Sequence, residues 1–169
     1  MSAAPAPAAA PPGVQLREAT AADVPRILGH IRALGDYERL AHEVVATEAQ
    51  LVATLFGERR YAEVLLADYA GQPAGFALFF HNYSTFLAKP GIYLEDLFVE
   101  PAMRKHGVGG ALLRHLARLA VARGCGRLEW SALDWNRLAI DFYLRLGAVA
   151  MDEWSIYRLT GPALEAMAR

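Results

Sequence analysis

Residues 92–124, IYLEDLFVEPAMRKHGVGGALLRHLARLAVARG, constrain the fold more than any other stretch of the chain. The first eight are apolar and β-prone apart from two adjacent acids, as expected of a strand inside a sheet. A Gly-rich turn follows. Val108, Ala111, Leu112, Leu116 and Leu119 then recur at three- and four-residue spacing, which places them on one face of a helix that Gly124 ends. A buried strand leading through a glycine turn into an amphipathic helix needs a sheet with helices packed on it, so the expected class is α/β.

The remaining segments fit that class. Val14 to Arg17 reads as a short strand, and Thr20 with Asp23 forms a helix-starting box. Val24, Ile27, Leu28, Ile31 and Leu34 lie on one face of the helix that follows, which extends to about Leu40. Thr47 and Gln50 form a second box before a short helix ending near Gly57. Residues 63–69 and 74–82, separated by AGQPAG, predict an antiparallel hairpin. Residues 127–133 predict a strand, 136–147 a helix and 148–159 a final strand or hairpin. With no internal repeat, 169 residues suit one domain over 14–169 behind an Ala- and Pro-rich disordered tail at 1–13.

Composition excludes several classes of partner. A net charge of −1 offers no broad attraction for nucleic acid or an anionic membrane, and no apolar run is long enough for a span. The single cysteine, Cys125, rules out an internal disulfide framework and fits a reducing cytoplasm. His81, His106 and His115 form no metal-ligand spacing, and His115 falls on a surface-facing helix position. No metal is expected. Trp130, Trp135 and Trp154 read as packing or dimer-contact residues.

Two features carry chemistry. Glu95 and Asp96 interrupt the apolar strand, and an unpaired carboxylate in an apolar interior costs several kcal/mol unless it pairs, shifts its pKa or faces a cavity. Alternation along a strand sends the two to opposite faces, one to a cleft and the other to structural hydrogen bonds. The turn RKHGVGG, 104–110, lies between a strand and a helix, where free N–H groups and the helix dipole attract an anion such as phosphate. Gly107 and Gly109 suit positive φ and close approach, while Arg104 and Lys105 add charge. A tight turn without a ligand fits the glycines equally well. Neither a Gly-Lys-Ser/Thr phosphate loop nor a complete dinucleotide fingerprint is present.

ATAADVPRIL, DYE, YLEDLFV, RKHGVGG and WNRLAIDFYLRLGA, in this order and at these intervals, resemble the GCN5-related N-acetyltransferase superfamily. The likeness is closest to the diamine (spermidine/spermine, thialysine) acetyltransferases and covers about Arg17 to Leu159. It implies a mixed, strongly twisted sheet flanked by helices, acetyl-CoA as cosubstrate, a cytoplasmic homodimer and a primary amine of a small polyamine or diamine-like molecule as acceptor. Lysine, thialysine or another small amine is the alternative acceptor, and a non-catalytic acyl-CoA-binding module is a further one.

By the same resemblance, the main chain of Leu97, Phe98 and Val99 holds the pantetheine arm in a gap between splayed strands. Arg104, Lys105, His106, Gly107, Val108, Gly109 and Gly110 cradle the pyrophosphate, and Asn136 adds a polar contact or simply caps its helix. Glu95 faces the cleft as the base and Tyr143 is the general acid. Tyr37 and Glu38 belong to the amine site, with Asp152 and Glu153 able to add negative potential. The segment after LRLGA, VAMDEWSIYRL, departs from the diamine pattern in its glycine and acid positions.

Overall fold

The computed structural model describes residues 10–169; most of the expected tail, residues 1–9, lies outside them. The backbone forms one compact unit ending at Ser131 and a second from Ala132 to Arg169.

The first unit is built on a five-stranded sheet in the order β1 (Val14–Glu18), β2 (Glu63–Tyr69), β3 (Gln72–Ser84), β4 (Lys89–Val99) and β5 (Leu128–Trp130). The first four strands pair antiparallel, and β5 pairs parallel with β4. Helix α1 (Val24–Glu38) starts where sequence chemistry placed it, with the Thr20 N–H donating to Asp23 Oδ2 at 2.8 Å. The second box also forms: the Thr47 N–H donates to Gln50 Oε1 at 2.9 Å ahead of α2 (Glu48–Leu51). A wider π-type turn, Val52–Phe56, continues α2 to Gly57.

Consecutive residues Val64, Leu65, Leu66 and Ala67 are all buried, so both faces of β2 are covered. One face belongs to a cluster that joins Val24, Ile27 and Leu28 of α1 to Leu66, Phe76 and Phe98 of the sheet. Each such fully buried aliphatic or phenyl side chain contributes about 1.5–3 kcal/mol. Helix α3 (Val108–Ala122) buries Val108, Ala111, Leu112 and Leu116 as its spacing requires, and Gly124 follows it at φ +67°. His115 is half-buried rather than turned to solvent, and burial lowers its pKa.

In the second unit, α4 (Arg137–Arg145) occupies the expected helix, and α5 (Gly161–Met167) lies near the C-terminus. The strand or hairpin expected over 148–159 does not form. A ladder needs a partner edge, and this unit contains no strand to provide one.

Candidate active site

The two carboxylates sit at an irregularity in β4. Leu78 of β3 lies opposite Asp96 and Phe79 opposite Leu94, so Glu95 has no partner and forms a β-bulge. A bulge resets strand alternation. Asp96 and Phe98 fall opposite Leu78 and Phe76, both of which pack with the α1 cluster. Leu94 falls opposite Phe79, which lines a small cavity with His115 and Leu119 of α3. The strict alternation expected for Glu95 and Asp96 is therefore broken.

Glu95 is exposed, whereas Asp96 is partly buried. Burial, and then the nearby charges of Glu95 and Glu38, push the Asp96 carboxyl up to about 6. Glu38, at the end of α1, is itself raised by burial. The structural hydrogen bonds expected for Asp96 are not made: among the described residues its carboxylate meets neither a cation nor a donor. Three acids thus converge near the end of α1 and β4, and the one assigned a structural role from sequence is held up to about 6. An acid standing opposite an apolar helix stripe, as Asp96 does once the bulge is known, is the signal that finds it.

This arrangement has a measurable consequence for stability. The Asp96 carboxyl ordinarily titrates at 3.8 and in the folded chain at about 6, so its ionisation destabilises the fold progressively as pH rises through that interval. Asp96→Asn removes the penalty and should raise stability at a pH of about 7.5 by roughly 1–3 kcal/mol, with the gain vanishing near pH 4. Thermal melts at both pH values check this; equal gains at both would show that ionisation is not the cause.

The pairing of β5 with β4 ends at Leu94, opposite Trp130. From Glu95 to Val99, β4 runs on with β3 on one side and, among the described residues of this unit, no strand on the other. The main chain of Leu97, Phe98 and Val99 is therefore an edge that no described strand of this unit covers on that side. Gly75 lies opposite Val99, and a Cβ there would overlap the Phe98 carbonyl oxygen.

The turn beyond β4 presents main-chain N–H groups at the start of a helix. Gly107 has φ +81° and immediately precedes α3, and Lys105 shares the left-handed region at φ +68°. The first amides of α3, on Val108, Gly109 and Gly110, have no carbonyl partner within the helix and carry the positive end of its dipole. Gly107 alone needs positive φ; Gly109 is an ordinary residue of the first helical turn. His106 stacks on Tyr69, with ring centroids 4.2 Å apart. The Arg104 Nε–H donates to the Val99 carbonyl at 3.1 Å, and its guanidinium lies 4.8 Å from the Tyr37 ring centroid. Among the described residues, no acceptor other than this carbonyl meets the Arg104 guanidinium.

Structure thus brings together Tyr37, Glu38, Glu95, Asp96, Val99 and Arg104. Asn136 and Tyr143 belong to the second unit. Asn136 caps α4, accepting from the Ala139 N–H at 3.3 Å, and Tyr143 follows two turns later beside Phe142, with ring centroids 5.5 Å apart.

Known proteins share this architecture. A structure from the mobile metagenome of V. cholerae, an integron cassette protein, superposes with a TM-score of 0.78 at 27% identity, over 93% of this chain and 98% of that one. The L-ornithine N5-acetyltransferase of Arabidopsis thaliana is 36% identical over 90% of this chain and 87% of its own length. A thialysine N-epsilon-acetyltransferase of Bos taurus is also 36% identical, over 92% and 97%. The acetyltransferase (GNAT) family pattern matches residues 31–148, a span that takes in the acidic bulge, the open edge of β4 and the glycine turn. The chain is an N-acetyltransferase and belongs to the GNAT family.

Proposed function

We propose that the chain transfers acetyl from acetyl-CoA to the primary amine of a compact cation bearing a second positive charge several bonds away. Small diamines and polyamines have this chemistry, and so do ornithine and thialysine, the acceptors named for two relatives. The observation that carries the reading is the Asp96 carboxylate, partly buried near Glu95 and Glu38 with no cation against it among the described residues. A cationic guest supplies that balance.

An alkylamine with a pKa of about 10.4 arrives protonated, and only its neutral form attacks an acyl carbon. Glu95 accepts the proton, directly or through water, while Glu38 and Asp96 hold the remaining charge. The cosubstrate supplies an activated acetyl thioester: the C–N bond forms as the C–S bond breaks, the Tyr143 phenol protonates the departing sulfur, and the second proton that nitrogen sheds on becoming an amide returns through water to the phenolate. The amides of Val108, Gly109 and Gly110, with Arg104 and Lys105, meet the pyrophosphate; the edge of β4 at Leu97 to Val99 meets the pantetheine amides. Asn136 adds a polar contact, and the active species is a homodimer, which sedimentation of the purified chain tests.

Because the chain is nearly neutral overall, any attraction for a dication must come from this local cluster. Comparison of kcat/KM for spermidine, ornithine, thialysine and a monoamine of similar length, at low and moderate salt, tests the reading. Dications should win, salt should narrow their advantage, and Glu38→Gln should penalise them more than the monoamine. Equal efficiency for all, unaffected by the substitution, would overturn the dication reading.

A further inference from the structure

His30, on α1, is buried at 4% exposure, yet nothing in the reaction described above uses it. Its ring stacks on Phe76, with centroids 5.5 Å apart and planes 8° from parallel. Both nitrogens are engaged. Arg26 Nε–H donates to His30 Nε2 at 3.4 Å, which makes Nε2 the acceptor and leaves the proton on Nδ1. Nδ1 lies 2.9 Å from Glu100 Oε1, so the neutral ring donates to a carboxylate. Arg26 is anchored in turn by Asp68 at 2.8 Å and by the Ala67 carbonyl at 2.7 Å. Burial lowers the His30 pKa, and Glu100 opposes that effect.

The place of Glu100 gives this chain of contacts its meaning. It follows Val99 directly and precedes the short turn Pro101–Met103 that leads to Arg104. Its own N–H donates to the Ala74 carbonyl at 2.9 Å, and its carbonyl accepts from the Met103 N–H at 2.8 Å. This is the joint between the open edge of β4 and the glycine turn, where β4 has already lost its β5 neighbour. His30 lies two helical turns before Tyr37, so one helix both grips this joint and ends at the amine site.

We propose that His30 is a positioning residue for acetyl-CoA: its bond to Glu100 fixes the end of β4 and the start of the phosphate turn against α1. The inference rests on reading Leu97 to Gly110 as the acetyl-CoA site. His30→Phe keeps a ring on Phe76 but removes the donor, and Glu100 is exposed enough to find water. His30→Asn places an amide N–H where Nδ1–H stood but leaves a void under the aromatic rings. Packing alone therefore makes the phenylalanine variant the more stable, whereas the positioning role makes the asparagine variant the better binder.

Calorimetric titration of acetyl-CoA into the wild-type chain, His30→Phe, His30→Asn and Glu100→Ala, with a thermal melt of each, separates the two. We expect about tenfold weaker binding in His30→Phe and Glu100→Ala, no further loss when these two substitutions are combined in one chain, near wild-type binding in His30→Asn, and the reverse order in thermal stability for the two His30 variants. Kinetics should show the change in KM for acetyl-CoA with kcat retained. Wild-type binding in His30→Phe and Glu100→Ala, or losses in His30→Asn that match those in His30→Phe, would overturn the inference. Should the phenylalanine variant fail to fold, Glu100→Ala decides alone. A wild-type chain that does not bind acetyl-CoA would overturn the site reading itself, a result distinct from equal binding by all variants.

Discussion

Gly75→Val should destabilise the chain by about 3 kcal/mol or more and remove measurable acetyl-CoA binding from whatever fraction folds. A Cβ at this position overlaps the Phe98 carbonyl oxygen and comes within 3.1 Å of Val99 Cα, both of them main-chain atoms of the paired strand. Backbone held in a ladder cannot swing aside as a side-chain tip can, so β3 and β4 must separate along the segment proposed to hold pantetheine. Gly29 provides the control. It lies in an exposed position of α1 with nothing within 4 Å of its added Cβ. Gly29→Ala should stabilise by about 0.5–1 kcal/mol through helix propensity. Chemical denaturation of Gly75→Val and Gly29→Ala checks the pair; equal, small effects would mean that the β3–β4 contact at Val99 is not tight.

Tyr143→Phe should lower kcat by about 10²–10⁴-fold while acetyl-CoA affinity changes only a few fold. The substitution keeps the ring beside Phe142 on α4 and removes a single proton donor. The proposed acid has one task, to protonate sulfur as it leaves, and that task contributes to the transition state rather than to cosubstrate binding. Pre-steady-state kinetics that isolate the chemical step, with calorimetry for affinity, check the split. An unchanged chemical step would reject Tyr143 as the acid.

Sequence legibility followed the range over which each feature is determined. The boxes at Thr20 and Thr47, the stripe from Val24 to Leu34 and the positive φ of Gly107 depend on residues within a turn or two of each other, and all are present. The bulge at Glu95 depends on the register of β3 against β4, which no pattern within β4 reveals. That one irregularity reassigned Asp96 from a supposed structural acid to the acid facing Glu38. Residues 148–159, read from sequence as a strand or hairpin, have no partner edge within their own unit. The His30–Glu100 tie joins residues seventy positions apart and left no trace in either local sequence. Family likeness reached the glycine turn and the acidic strand because their chemistry is concentrated in contiguous motifs; it did not reach contacts made by the tertiary fold.

The measurement that bears most directly on the account is turnover itself. Purified chain, acetyl-CoA and a panel of ornithine, thialysine, spermidine, lysine and a monoamine should be followed for CoA release, with the N-acetylated product identified by mass. The account predicts stoichiometric release and product, fastest for acceptors with a second ammonium group and dependent on Glu95 and Tyr143. Saturable acetyl-CoA binding with no acetylated product from any amine would contradict it and identify the chain as an acyl-CoA-binding module.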